Sequence, residues 1–192
     1  MAALLPSDEE YLKTPVLKLA RNRIVWLCVL MVSGTLSSLV ISHYETLLAT
    51  VMALSSFITI ITGTGGNAGS QASTMIIRGM ALGEIEVKDV LRVVWKEVRV
   101  GALCGIALGA VNMVRMTFFS PSTGFLVDFT VSISMAAVVV LSKTIGCTLP
   151  IGAKVLKLDP AIMASPMITT IVDAVSLMVY FNLACHLLDM AA

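Results

Sequence analysis

Charged residues are scarce in this sequence. Asp, Glu, Lys and Arg together make up 13% of the 192 residues, about half the share in an average soluble domain. Hydrophobic residues make up 57%, and the mean hydropathy is +0.94. The formal net charge of +1 gives no indication of nucleic-acid binding, so we expect no nucleic-acid partner. This composition excludes a soluble globular protein and is typical of a chain with several membrane spans.

Motifs of covalent and redox chemistry are also missing. The four cysteines stand in separate apolar segments without a C-x-x-C pair, so we expect small buried side chains and neither disulfides nor zinc ligands. The sequence contains no recognisable arrangement of nucleophile and base and no cofactor motif, so it does not predict an enzyme. The acidic N-terminus lacks the basic start and apolar core of a cleaved signal peptide. The cysteines are Cys28, Cys104, Cys147 and Cys185.

Long apolar runs predict an all-α integral membrane protein with five transmembrane helices. Each run is long enough to cross about 30 Å of hydrocarbon. Residues 1–23 are expected to form a cytosolic headpiece, and residues 24–192 the membrane domain. We expect the mixed-charge segment 78–99 to be an amphipathic connection at the membrane surface. The predicted spans, one to five, are 24–44, 46–77, 100–119, 125–149 and 160–188.

Span two contains an unusual polar stretch, residues 62–71, with four glycines at membrane depth. Glycine weakens a helix and lets another backbone or a ligand approach closely. Loosened backbone inside a bilayer is tolerated only where protein covers it or water fills the space beside it. We therefore expect span two to loosen here and to offer carbonyl oxygens, with the amides of Asn67 and Gln71, to a polar partner. Simple helix packing is the alternative interpretation.

Span five contains a carboxylate, Asp173, near its middle. A carboxylate in hydrocarbon costs from a few to more than ~10 kcal/mol, so it normally faces a bundle interior, a water-filled path or a cation. Polar residues recur around it at three- and four-residue intervals and so share one helix face. An ion pair with Lys143 of span four is the structural alternative. The polar face consists of Ser165, Thr169, Asp173, Ser176 and Tyr180.

The two polar features together predict a site for a hard cation. Carboxylate, carbonyl, amide and hydroxyl oxygens suit Mg²⁺, Ca²⁺ or Mn²⁺ better than soft metals. One chain supplies a single acid at depth, whereas a two-fold dimer would supply two facing carboxylates that match a divalent charge. We therefore expect a homodimer in a lipid bilayer with a wet, negatively charged passage at its two-fold axis.

Basic residues predict the orientation of the chain. Twelve of the thirteen Lys and Arg lie in the headpiece, the connection between spans two and three, and the region from Lys143 to Lys157. Arg115 is the exception. Because basic loops stay on the cytoplasmic side, we expect a multi-pass cell-membrane protein with its N-terminus in the cytoplasm and its C-terminus outside.

Four motifs resemble the transmembrane domain of MgtE magnesium channels and transporters, and also the related eukaryotic solute-carrier magnesium transporters. The resemblance begins at about residue 20 and covers nearly all of the chain that follows. The order and spacing of the motifs make it specific. They are Gly65-Gly66-Asn67-Ala68-Gly69-Ser70-Gln71; Arg78-Gly79 with Gly83-Glu84; Leu158-Asp159-Pro160-Ala161; and Pro166-Met167-Ile168-Thr169-Thr170-Ile171-Val172-Asp173.

The resemblance implies a homodimer with the ion path between spans two and five. It implies that hydrated Mg²⁺ is both ligand and transported ion, with Mn²⁺, Co²⁺ and Ca²⁺ as further candidates. The residues carried over as metal-binding are Asp173, Gly66, Thr169 and Asn67. Those expected to line the pore are Ser165 near the cytoplasmic mouth, Gly65, Gly69, Gln71 and Ser176.

One departure from the family concerns regulation. Typical bacterial members carry a large cytosolic N-domain and paired CBS domains, whereas only some twenty residues precede span one here. We expect a membrane domain without these cytosolic gating domains, whether the chain is natural or shortened. Two other functions stay open at this point: a Na⁺- or H⁺-coupled Mg²⁺ exchanger, and a non-conducting membrane scaffold in which Asp173 pairs with Lys143.

Overall fold

The computed structural model describes residues 12–119, 123–160 and 165–189, and within these ranges all regular structure is helical. Six α-helices follow one another in the described ranges, with a 3₁₀ segment at 52–57 and a short 3₁₀ turn at 87–89. Residues 1–11 of the predicted headpiece lie outside the described residues, and its part from Val16 onwards already belongs to the first helix. The helices are α1 (Val16–His43), α2 (Glu45–Thr50), α3 (Ile58–Ala81), α4 (Val90–Phe119), α5 (Phe125–Val155) and α6 (Ser165–Leu187).

Within the described ranges, four helices are long and apolar enough to cross a membrane: α1, α4 with its preceding turn, α5 and α6. They confirm four of the five predicted spans as candidate membrane helices. Helix α3 has 24 residues, or about 36 Å, which is also sufficient in length. Its glycines and polar side chains lower its hydropathy, so a fifth span stays a prediction.

The connection before α4 is shorter than expected. Residues 78–81 still belong to α3 and α4 begins at Val90, so the prediction that 78–99 forms one amphipathic surface segment is wrong. The side chains of Glu86 and Asp89 form a reciprocal capping box that starts the new helix early. Ile85 packs on Gly79 and closes the turn between the two helices.

The prediction that span two loosens at 62–71 is wrong. Helix α3 runs unbroken from Ile58 to Ala81, and the irregular backbone lies before it, in the 3₁₀ segment. The Tyr180 hydroxyl donates a hydrogen bond of 3.0 Å to the carbonyl oxygen of Leu54 and so holds that segment against α6. Gly69 meets Gly146 of α5 backbone to backbone. Close packing therefore compensates for the low helix propensity of glycine.

Helix α5 lies at the centre of the bundle and packs against α3, α4 and α6. Its contact with α4 is especially close, because a Cβ added at Gly105 would lie 2.7 Å from the carbonyl oxygen of Ala136. Glycines at four-residue spacing form this contact, so packing is their role, as expected for a G-x-x-x-G ridge. We call this contact the seam; its glycines are Gly101, Gly105 and Gly109.

Cysteine burial differs from the prediction. Cys147 is fully buried, but Cys28 is exposed, and Cys104 and Cys185 are half-buried. Cys28 lies on α1, whose outer faces meet no other helix within one chain. An apolar side chain in a membrane helix can face lipid as readily as protein, so membership of an apolar run does not predict burial.

Candidate cation site

A groove of about 230 Å³ separates α3 from α6 at the level of the predicted acid. On α3 each lining residue has another three or four residues away, so together they form one helix face. On α6 the two lining residues are one turn apart. The lining residues are Thr59, Thr62, Gly63, Gly66 and Asn67 of α3, with Thr169 and Asp173 of α6.

Gly66 lets the two helices approach at the centre of the groove. A Cβ at this position would lie 3.1 Å from Cγ2 of Thr169 and 3.6 Å from Oδ1 of Asp173. The Asp173 carboxylate therefore lies directly against the α3 backbone. The structure brings together all four residues predicted to bind metal: Asp173, Gly66, Thr169 and Asn67. Their role as ligands stays a prediction.

The Asp173 carboxylate has no cationic partner among the described residues, whose ion pairs lie elsewhere. Lys143 pairs with Glu97 of α4, with 3.9 Å between Nζ and Oε2, and both side chains are largely buried. The alternative in which Lys143 neutralises Asp173 is therefore wrong. The reason is geometric, because the Lys143 stem lies beside Gly101 at the seam, between α5 and α4.

Thr169 contributes to the start of α6 as well as to the groove. Its hydroxyl and that of Thr170 each donate a hydrogen bond of 2.9 Å to the carbonyl oxygen of Pro166. Both hydroxyls bond to the same carbonyl in the first turn of the helix, and the Thr169 methyl group faces Gly66. Ser165 begins this helix, but its side chain lies outside the described part of the chain, so its place at the mouth is untested.

Other predicted pore-lining residues lie away from the groove. Gly65 packs on Ser176 and Val138, and Gly69 packs on Ile168 and Val172. Gln71 is exposed one turn beyond Asn67 on α3 and is not among the residues that line the groove. Their pore-lining role stays a prediction, and within one chain the two glycines and Ser176 serve helix packing.

Tyr180 is also absent from the groove, although it shares the spacing of the polar face on α6. It is fully buried, and its hydroxyl bonds to Leu54. The spacing rule fails here because a large amphipathic side chain can bury its ring and still satisfy its hydroxyl on a neighbouring backbone.

Thr59 and Thr62 line the groove although the sequence did not single them out as site residues. Both precede Gly66 on the same helix face, at spacings of seven and four residues, and that periodicity is the signal that could have revealed them. Thr62 donates a hydrogen bond of 3.0 Å to the carbonyl oxygen of Ile58, which leaves its oxygen able to accept from water.

The described part of one chain offers few charged ligands for a metal ion. Among the described residues, no group of three or more His, Cys, Asp or Glu side chains could hold a metal ion. The groove instead offers one carboxylate, one amide, threonine hydroxyls and close backbone. This donor set consists of hard oxygen, which suits a cation that keeps part of its water shell.

Comparison with known proteins places these helices in a family. The family model named MgtE, described as a divalent cation transporter, matches residues 58–183, a range that includes both walls of the groove. This chain belongs to the MgtE family. The resemblance inferred from the four motifs is thereby confirmed, and with the apolar helices it identifies a membrane protein.

Curated relatives carry the name "Magnesium transporter MgtE". The Bacillus subtilis protein is 32% identical over 169 residues, which is 86% of this chain and 36% of the relative. The Thermus thermophilus protein is 32% identical over 167 residues, covering 87% and 36%. The Enterococcus faecalis protein is 31% identical over 177 residues, covering 92% and 39%. The chain thus spans little more than a third of the length of these relatives.

Proposed function

We propose that this MgtE chain transports Mg²⁺ across the membrane as a homodimer, through a pore at the two-fold axis. The observation that carries the proposal is the Asp173 carboxylate, which lines the groove between α3 and α6 and has no cationic partner in the part of the chain that the structure describes. The names of its relatives indicate the ion. Helix α3 serves as the fifth span.

A second copy of the chain explains how such a groove can exist inside a bilayer. Thr59, Gly63 and Asn67 are exposed on the open side of the groove. Polar groups and backbone at membrane depth must be covered by protein or must line water. Two copies related by a two-fold axis would turn these open sides towards each other and enclose a single wet passage.

The charge of the enclosed passage matches a divalent ion. Two Asp173 carboxylates carry two negative charges at close range, which a single Mg²⁺ neutralises. Each groove has a volume of about 230 Å³, and since a water takes up about 30 Å³ in the liquid, several waters fit. Mg²⁺ loses its water reluctantly. The ion can therefore pass with most of its shell, held through water by Asp173, Asn67 and the groove threonines.

The direction of the path follows from the proposed orientation. With the N-terminus in the cytoplasm, Thr59 and Thr62 lie on the outer side of Asp173, and Ser165 and Thr169 lie on the inner side. An ion entering from outside would meet hydroxyl groups first and the carboxylates next. Mn²⁺, Co²⁺ and Ca²⁺ are candidate competitors, since each accepts oxygen ligands.

Flux of Mg²⁺ into protein-loaded liposomes tests the proposal. Asp173→Asn keeps the side-chain volume and removes the charge, and we expect at least a hundredfold loss of flux. Asp189→Asn is the matched control, because Asp189 is exposed beyond the end of α6, and its flux should equal that of the parent. Undiminished flux through Asp173→Asn would refute the assignment.

The same liposomes separate a passive pore from a coupled exchanger. We expect Mg²⁺ to move down its own gradient with no Na⁺ or H⁺ gradient present. Flux that requires either gradient would instead support the exchanger. The Asp173→Asn variant would then test separately whether Asp173 binds the ion.

The dimer is tested by cross-linking across the proposed axis. Asn67→Cys places a thiol on the open side of the groove, where it should face its copy and form a disulfide under oxidation. The parent, with its four native cysteines, is the control for unrelated cross-links. An Asn67→Cys protein that cross-links no better than the parent would contradict the proposed axis.

A further inference from the structure

Helix α4 is longer than the hydrocarbon layer. Its 30 residues extend about 45 Å, whereas the hydrocarbon core is about 30 Å thick. Roughly ten residues must therefore lie at the level of the lipid headgroups or beyond. From Val100 onwards the helix contains one charged residue, Arg115, whereas the first ten residues contain four. The N-terminal three turns are thus the part at headgroup level.

These three turns carry cations and an aromatic ring on one outward face. Trp95 is 62% exposed, Lys96 and Arg99 are exposed, and the Arg92 side chain is 89% exposed. The guanidinium of Arg99 lies over the Trp95 ring, with Cζ 5.6 Å from its centroid. We call this set the basic face: Arg92, Trp95, Lys96 and Arg99.

Acidic side chains nearby do not neutralise the basic face. Glu97 points to the opposite side of α4, where it pairs with Lys143. Oδ1 of Asp89 lies 3.7 Å from Nη1 of Arg92 and neutralises part of the Arg92 charge. Among the described residues, no carboxylate lies within 4.0 Å of the cationic groups of Lys96 or Arg99. Their charge remains available to an external anion.

The same helix face continues into apolar side chains. Leu103 is 72% exposed and Ile106 is 69% exposed, and both follow Arg99 at helical spacing. A ligand that contacts the whole face must therefore combine an anionic head with an apolar tail. A tryptophan at the boundary between the two zones suits the membrane interface, where its ring lies among the headgroups.

We propose that the basic face of α4 binds the headgroup of an anionic phospholipid, with the phosphate between Lys96 and Arg99 and the acyl chains along Leu103 and Ile106. The lipid would hold α4 at a defined depth, and Glu97 on the opposite side would hold α4 to α5. This site lies on a different helix from the groove and does not depend on the transported ion.

Tryptophan fluorescence tests the site in reconstituted vesicles. The chain has two tryptophans, so Trp26→Phe leaves Trp95 as the only emitter. Vesicles of phosphatidylcholine receive equal fractions of either brominated phosphatidylglycerol or brominated phosphatidylcholine, which quench on contact. We expect the anionic lipid to associate more strongly, by about fivefold for each cation that contacts it, and the preference to decline in high salt.

The variants assign that preference to residues. Lys96→Gln with Arg99→Gln should make the two brominated lipids quench equally. Lys88→Gln with Lys154→Gln removes two exposed charges from the same end of the bundle and should leave the preference intact. Equal quenching in the parent, or the same loss in both double variants, would overturn the site.

Two further outcomes would also overturn the proposal. Inorganic phosphate should relieve the quenching no more than chloride does at the same ionic strength, and stronger relief would mean that the face binds free phosphate and not a lipid. A Trp95 that neither lipid quenches, in a protein that cross-links through a cysteine placed at residue 96, would show that a second copy covers the face.

Discussion

The groove between α3 and α6 and the seam between α4 and α5 are built from the same residue types with opposite results. Each has glycines on one helix and an acidic side chain within the bundle. At the seam, backbone of α5 fills the space beside the glycines, and Lys143 forms an ion pair with Glu97. In the groove, nothing lies within 4 Å of a Cβ added at Gly63, and no cationic side chain among the described residues pairs with Asp173. The comparison teaches that a buried charge indicates a ligand only when the chain itself leaves it without a partner.

The largest expected effect on stability is at the seam. Glu97→Gln leaves the Lys143 ammonium buried without its partner, which should destabilise the protein by about 3 kcal/mol, the lower end of the usual range because Glu97 retains some exposure. The change is measured as the unfolding midpoint in detergent. Glu97→Gln combined with Lys143→Met should recover most of the loss. Equal stability of Glu97→Gln and the parent would show that the pair is not structural.

A smaller effect should separate the two kinds of glycine. Gly105→Ala would force a methyl group against the backbone of Ala136 and should cost about 2 kcal/mol by overpacking. Gly63→Ala has open space and should leave stability equal or raise it by up to about 1 kcal/mol through helix propensity. Thermal unfolding of the two variants in one detergent provides the measurement. If both variants lost stability alike, the groove would not be open at Gly63.

The smallest effect should appear only when the ion is present. Binding of Mg²⁺ to the folded protein should stabilise it by about 1.4 kcal/mol at ten times the dissociation constant. Asp173→Asn should lose this Mg²⁺-dependent shift while its stability without divalent ions stays equal to that of the parent or rises, because the variant removes a charge that no cation among the described residues neutralises. The unfolding midpoint with and without Mg²⁺ measures both. A shift that survives in the variant would place the ion elsewhere.

Several features could be predicted because they depend on local composition. The apolar runs that became α1, α4, α5 and α6 need only length and the absence of charge to favour a membrane span. Asp173 was identifiable because a carboxylate in such a run is costly. The family was recognisable because its motifs keep their order and spacing, and the family model confirms it.

Other features depended on which residues the neighbouring helix places opposite. Gly65, Gly66 and Gly69 are alike in the sequence, yet the first and third pack within the bundle and the second faces the groove. The sequence suggested Asp173 as a partner for Lys143, and only the packing of α5 beside α4 showed that the partner is Glu97. The periodicity of Tyr180 placed it with Asp173, but its size favoured a buried position against Leu54.

By itself, the sequence determined that this chain is helical, membrane-embedded and equipped with one deep acid, because hydropathy and helical period are properties of neighbouring residues. The tertiary structure decided where the backbone breaks, which charges pair and which glycines leave open space. Those outcomes depend on contacts between helices distant in sequence, since a glycine or a carboxylate acquires its role from whatever the opposite helix places beside it.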